Sequence, residues 1–150
     1  MPLEVTLATI DQGFDMCKKL RYQVFILGRG FDPELDVDEY DIKPTSYHFL
    51  GRDTETNEFV AVARCFADPE SRIGKVGRVG VLKEYQGKGY GAAMMEAIES
   101  TVKDECHTIV LGAVMDKIGF YKKLGYARIN DETFIDEIEQ CWMAKKISNV

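Results

Sequence analysis

"VLKEYQGKGYGAAMMEAIE", residues 81–99, decides the fold of this 150-residue chain. It leaves an apolar, strand-like run, passes through Gly87, Gly89 and Gly91 in alternation, and enters a helical pattern. Glycine has no Cβ, so such a turn can adopt positive φ and let a ligand lie close to the backbone. The helix behind it offers unsatisfied N–H donors and the positive end of its dipole to an anion. Gln86 and Lys88 can add a side-chain donor and a cation. The stretch therefore predicts a pyrophosphate site made of main chain, with no metal required.

Working outward, "IGKVGRVGVL" (73–82) reads as a strand interrupted by glycine, at the end of an antiparallel meander. "SYHFLGRD" and "EFVAVARCFA" form a hairpin through the turn "TETNE", and "DPES" turns the chain into residues 73–82. Ahead of them, "LEVTLAT" (3–9) is a strand. Asp11 is placed to cap a helix carrying Phe14, Cys17, Leu20, Val24 and Phe25 at spacings of three and four. "GRGFDPELDVDEYDIKP" is a polar connection crowded with carboxylates.

Beyond the glycine turn, Met94, Met95, Ile98 and Val102 share one helical face. "HTIVLGAV" (107–114) is a strand, and "KIGFYKKLG" a short helix ended by Gly125. "YARIN" and "QCWMAKKI" are strands joined by an acidic connection, Asp131 to Glu139. The order βαβββαβαββ in one 150-residue domain predicts an α+β sheet with helices on its faces.

Composition narrows the function. A net charge of −6 argues against general nucleic-acid binding, which needs cationic surface. No apolar run approaches a membrane span, and the N-terminus lacks a basic-then-apolar signal pattern, so a cytoplasmic chain without a membrane partner is expected. Cys17, Cys65, Cys106 and Cys141 include no CxxC pair and sit in apolar surroundings, which predicts buried, reduced thiols. With His48 and His107 as its histidines, the chain offers no histidine-rich metal centre, and no metal is expected.

A P-loop needs Lys-Ser/Thr after its last glycine, whereas Ala92 and Ala93 follow here. Gly87-x-Gly89-x-x-Ala92 fits the loose dinucleotide fingerprint, but that fold places it in a parallel sheet, and here a meander precedes it. Residues 79–98 resemble instead the acetyl-CoA motif of the GNAT N-acetyltransferase family, Q/R-x-x-G-x-G/A after a strand. Gln86, Gly89 and Gly91 fill its positions. "FYKKLGY" (120–126) resembles the family's second mark, an FYxxxGF helix-to-strand segment. The front half, from "LRYQVFIL" through "ELDVDEYD" to "VAVARCF", is similar to a small single-domain bacterial branch of the family.

That resemblance implies a mixed, mostly antiparallel sheet flanked by helices. The sheet would splay between the strand ending near Leu82 and the strand near 107–114. The pantetheine arm of acetyl-CoA, the implied cosubstrate, would lie in the wedge against main-chain groups of Val79, Gly80 and Val81. The pyrophosphate would lie on Gln86, Gly87, Lys88, Gly89, Tyr90 and Gly91. The interruptions at Gly77 and Gly80 suit a bulge or the close approach of a ligand. Tyr121 is implied as the acid near the departing sulfur, and the Val81 N–H as an oxyanion donor.

The family pattern gives no base. Gly77 and Arg78 stand where many relatives carry a strand carboxylate, Gly28 and Arg29 where the branch has Glu-Gln, and Lys117 where an asparagine is common. Histidine ordinarily titrates near ~6.5, so His48, or one of Asp36, Asp38, Glu39 and Asp41, is left for that role. Arg64, in phase with Val60, Val62 and Phe66, faces inward. It either pairs with an acidic residue of 34–41 or binds an anionic group of the acceptor, and Arg21 carries the same ambiguity.

A carboxylate-rich wall at 32–41 would favour a cationic amine such as a polyamine. An inward Arg64 or Arg78 would favour an amino acid or a phosphorylated amino sugar, and a protein amine is a further option. The expected partners are acetyl-CoA and a small amine acceptor, with monomer and homodimer both open. The competing reading is a non-catalytic acyl-CoA-binding sensor or interaction module.

Overall fold

The computed structural model describes residues 2–150. Its strands are β1 (Leu3–Ala8), β2 (Ser46–Asp53), β3 (Phe59–Ala67), β4 (Ile73–Val81), β5 (Thr108–Val114), β6 (Ala127–Arg128), β7 (Phe134–Asp136) and β8 (Ile138–Lys146). Its α-helices are α1 (Phe14–Arg21), α2 (Tyr90–Val102) and α3 (Ile118–Lys123). One open sheet runs β1-β2-β3-β4-β5-β8-β6, with β7 paired to β8. β2, β3 and β4 are the predicted antiparallel meander, β1 adds antiparallel to β2, β4 and β5 pair in parallel across α2, and β8 returns antiparallel to β5. The α+β class and the mostly antiparallel sheet are as expected.

Two apolar layers sandwich the sheet. Met94, Met95, Ile98 and Val102 of α2 are fully buried with Phe49, Ala61, Ala63, Ile109 and Leu111. On the other face Phe14, Cys17 and Leu20 of α1 pack on Leu50 and Val62. All four cysteines are free and buried, and burial pushes the Cys17 thiol up to about 11. A neutral thiol of that kind packs as a small apolar group.

Three local expectations change. Asp11 does not cap the first helix; Thr9 and Gln12 close a tight turn and Gly13, at φ 89°, stands at the N-cap. The helix also does not run on regularly to Phe25, because residues 22–27 widen into a π-helical turn. That turn seats Val24 and Phe25 on β4, where a Cβ at Gly80 would lie 2.8 Å from Val24 Cγ1. Finally, the acidic connection 131–139 contains β7, whose tight hairpin with β8 bends at Glu137, φ 68°.

The geometry that matters lies between β4 and β5. They pair from Ile73↔Thr108 to Val76↔Leu111 and no further, so residues 77–81 and 112–114 diverge. In the same stretch the register of β4 against β3 shifts, and Arg78 takes φ 57°. A bulge twists and bends the strand that carries it, which turns the end of β4 away from β5. The bulge falls between Gly77 and Gly80 as the glycine interruptions suggest, although the residue in the left-handed region is the arginine.

Candidate functional site

The splay opens into a cleft of about 1210 Å³ between the glycine turn, β4, β5, α3 and the segment 23–40. Val79, Gly80, Val81, Gln86, Gly87, Gly89, Tyr90, Gly91 and Tyr121 all line it. Lys88 and His48 are not among its lining residues.

One end is built from backbone. Leu82 N–H donates to Val60 O, 2.9 Å. In an antiparallel ladder the bonding direction alternates, so Gly80 also bonds toward β3 while the main-chain groups of Val81 face the splay. Gly80 thus serves the close packing of Val24 and Phe25 rather than offering main-chain groups to the wedge. The Gln86 Nε2 donates to Val81 O at 3.0 Å, tying the glycine turn to the end of β4.

Gly87 and Gly89 hold φ of 81° and 84°, with Gly89 the N-cap of α2. Among the described residues no acceptor pairs with the amides of 87 to 92, and the first paired one is Ala93 N–H on Gly89 O at 3.1 Å. A run of unpaired amides at the start of a helix is an anion seat. The Tyr90 side chain is buried and donates to Asp53, so only its main chain faces this seat. Lys88 is exposed, its ammonium 5.8 Å from the centre of the Tyr85 ring.

The two sequence motifs touch. A Cβ at Gly91 would lie 3.0 Å from Phe120 Cζ, so the last glycine of the turn lets α3 press against the start of α2. The next residue, Tyr121, is 9 % exposed and packs edge-on between Phe120 and Tyr126. Among the described residues its hydroxyl has no hydrogen-bond partner, and burial pushes the phenol up to about 12.

The opposite end is built from side chains. Arg21 meets Asp41 at 2.9 Å and Asp36 at 3.1 Å. Arg64 meets Asp38 at 2.7 Å and Asp41 at 3.1 Å, and Arg78 meets Asp38 at 3.1 Å. Burial raises the Asp41 carboxyl, but the Arg21 hydrogen bond and charge outweigh it and bring the pKa down to about 2. This lattice pins residues 32–41 over α1, β3 and β4. Asp36, Asp38 and Asp41 are therefore taken up by arginines, so three carboxylates of the segment expected to draw in a cationic amine are already paired. Arg64 and Arg21 are structural partners of those carboxylates.

His48 belongs to the same support. It is 3 % exposed, edge-on to Phe14, with Nε2 2.9 Å from Asp41 O. A base must reach its proton directly or through one water. His48 is buried under the acidic segment and does not line the cleft.

The cleft rim held a surprise. The β7–β8 hairpin folds over the splay, Phe134 stacks on Trp142 at 4.6 Å, and Glu137 accepts the Asp32 N–H at 2.6 Å. Arg29 and Asp116 meet across the same opening at 3.4 Å. A turn bending at glutamate, without Gly or Asn, carries no signal that sequence reading detects. Among the described residues no group of three His, Cys, Asp or Glu side chains is placed to hold a metal ion.

Comparisons with known proteins agree with this geometry. Residues 15–126 match the family described as Acetyltransferase (GNAT) family. A Bacillus subtilis (strain 168) protein named "Putative acetyltransferase BSU40680" is 27 % identical over 146 residues, spanning 96 % of this chain and 97 % of its own length. The crystal structure of Escherichia coli ElaA superposes with a TM-score of 0.80 at 24 % identity, covering 96 % of this chain and 99 % of that one. A crystal structure from Lactobacillus plantarum, titled "putative N-acetyltransferase", gives 0.84 at 18 % identity over 98 % and 99 % of the two chains.

Proposed function

The chain belongs to the GNAT acetyltransferase family, and from that premise we propose that it moves an acetyl group from acetyl-CoA to the primary amine of a small molecule by direct attack in a ternary complex. The observation that carries this reading is the join of two features. The run of unpaired amides at 87 to 92 lies at one end of the cleft, and the buried Tyr121 phenol lies against its wall. The first suits the diphosphate of the cosubstrate. The second suits the sulfur that must leave protonated.

In this reading the Val81 N–H, turned toward the splay, has two uses. It pairs with the cosubstrate as an added strand would, and it steadies charge on the thioester oxygen. The amine nitrogen forms its bond to the carbonyl carbon as the carbon–sulfur bond breaks. Tyr121 gives its proton to the departing thiolate. With its pKa raised to about 12, the phenol keeps that proton throughout neutral pH. The proton lost by the amine leaves toward the rim, where Asp136 and Glu137 line the cleft with no arginine on them.

The test is release of free thiol from acetyl-CoA by the purified chain with a panel of primary amines. Acetyl-CoA-dependent release with at least one amine, and an N-acetylated product by mass, is expected. Tight CoA binding with no release across the panel would replace this reading by the binding-only module.

A further inference from the structure

The acceptor end of the cleft carries cations that the protein does not neutralise. Tyr40 is the centre of the arrangement. Its ring lies 5.4 Å from Phe66, with the Lys75 ammonium 4.6 Å from its centroid, Lys43 at 5.6 Å and the Arg64 guanidinium at 5.7 Å. Lys75 also stands 5.8 Å from the Trp142 ring. Arg64 is matched by Asp38 and Asp41, and the remaining carboxylate of the lattice, Asp36, by Arg21 and Arg78. Among the described residues neither Lys75 nor Lys43 has a carboxylate within ion-pair distance.

Lys75 lies on the cleft side of β4, next to the point where β4 and β5 part. Aromatic faces attract cations, and a polyamine acceptor would use such faces for its ammonium groups. Here the Tyr40 face already holds the protein's own lysine. A second cation at that ring would meet repulsion from Lys75, whereas a carboxylate or phosphate would find a lysine with donors to spare. Asp136 and Glu137, facing the cleft from the β7–β8 turn, supply the opposite charge for an amine. Resting on the transferase reading above, we infer that the acceptor is a primary amine carrying an anionic group, carboxylate or phosphate, which Lys75 binds against Tyr40 and Trp142.

The experiment uses matched acceptors with the full chain and acetyl-CoA: phenylalanine against phenethylamine, O-phosphoethanolamine against ethanolamine, and spermidine. The anionic member of at least one pair exceeds its uncharged-tail twin in kcat/KM by at least about tenfold, the scale of one charge-assisted hydrogen bond. The pair that responds tells carboxylate from phosphate. Lys75→Met brings the preference within about twofold by raising the acceptor KM while the acetyl-CoA KM stays in place, and Lys75→Arg keeps the preference.

Faster turnover of spermidine or of the uncharged-tail twins overturns the inference, and so does an unchanged preference in Lys75→Met. If no amine is acetylated, calorimetry of the CoA-saturated protein with the same pairs makes the decision. Lys75-dependent binding of an anionic amine upholds this site while the transferase reading falls, and absence of such binding overturns the site itself.

Discussion

The two ends of the cleft are made differently. At the glycine turn the working groups are main-chain amides, and side chains matter chiefly by their absence: Gly89 lets α2 begin from the left-handed region and Gly91 makes room for Phe120. At the acceptor end the working groups are charged side chains from α1, the segment 32–41, β3 and β4, far apart in sequence. A site made of backbone is rigid because the fold is rigid. A site made of buried ion pairs has to be held by its own pairing, since burying charge costs several kcal/mol per ion unless partners are well placed. In the proposed reading, the contrast separates binding of a common cosubstrate from choice of a particular acceptor.

The largest effect expected from breaking this contrast lies in the lattice. Arg21→Met leaves Asp41, fully buried, with only Arg64 as its counter-charge. Loss of a partner from a buried pair costs about 3–5 kcal/mol, so denaturant unfolding of the variant should show a fall of that order. The lattice also predicts an acid limb. The native pKa of Asp41 is depressed to about 2, below the ordinary value of ~3.9 in an unfolded chain. Its contribution is thus complete above ~pH 4 and is lost as pH falls through about 2. An Asp41→Asn variant, already weakened at neutral pH, should lose less further stability over that window.

A smaller effect in energy, but a sharper one in function, is expected at the other end. Tyr121→Phe removes one hydroxyl, keeps the ring packing with Phe120 and Tyr126, and touches no amide of the turn. Turnover should fall by about a hundredfold, within the range of general acid catalysis, while acetyl-CoA affinity changes less than about twofold. Equal losses in both would mean that the tyrosine is a packing residue.

The same contrast explains what could be read from the sequence. Local geometry leaves local signatures. The meander and the helix after Gly89 were legible because glycine positions and strand alternation act within a few residues, whereas the splay between β4 and β5 was implied by the family resemblance. The inward phase of Arg64 was legible too, and so was its choice between an acidic partner and an acceptor. What decided that choice was not. Arg21, Arg64 and Arg78 converge on three aspartates only after α1, β3 and β4 have packed, and no spacing in the chain encodes that meeting.

His48 shows the limit well. Its imidazole made it a candidate base, yet position relative to the cleft, a tertiary property, places it beneath Asp41. The β7 hairpin escaped for a different reason. Glu137 at φ 68° is an unfavourable choice for such a bend, held there by strand pairing and by its bond to Asp32 rather than by its own preference.

The central claim is that main-chain donors of residues 87 to 92 grip the diphosphate of the cosubstrate. Calorimetric titration of the folded chain with acetyl-CoA and with acetyl-pantetheine, which lacks the diphosphate, tests it most directly. One-to-one binding of acetyl-CoA, with acetyl-pantetheine weaker by at least about a hundredfold (~2.7 kcal/mol), is the predicted result. Equal affinity for the two, or no heat from acetyl-CoA, would contradict it.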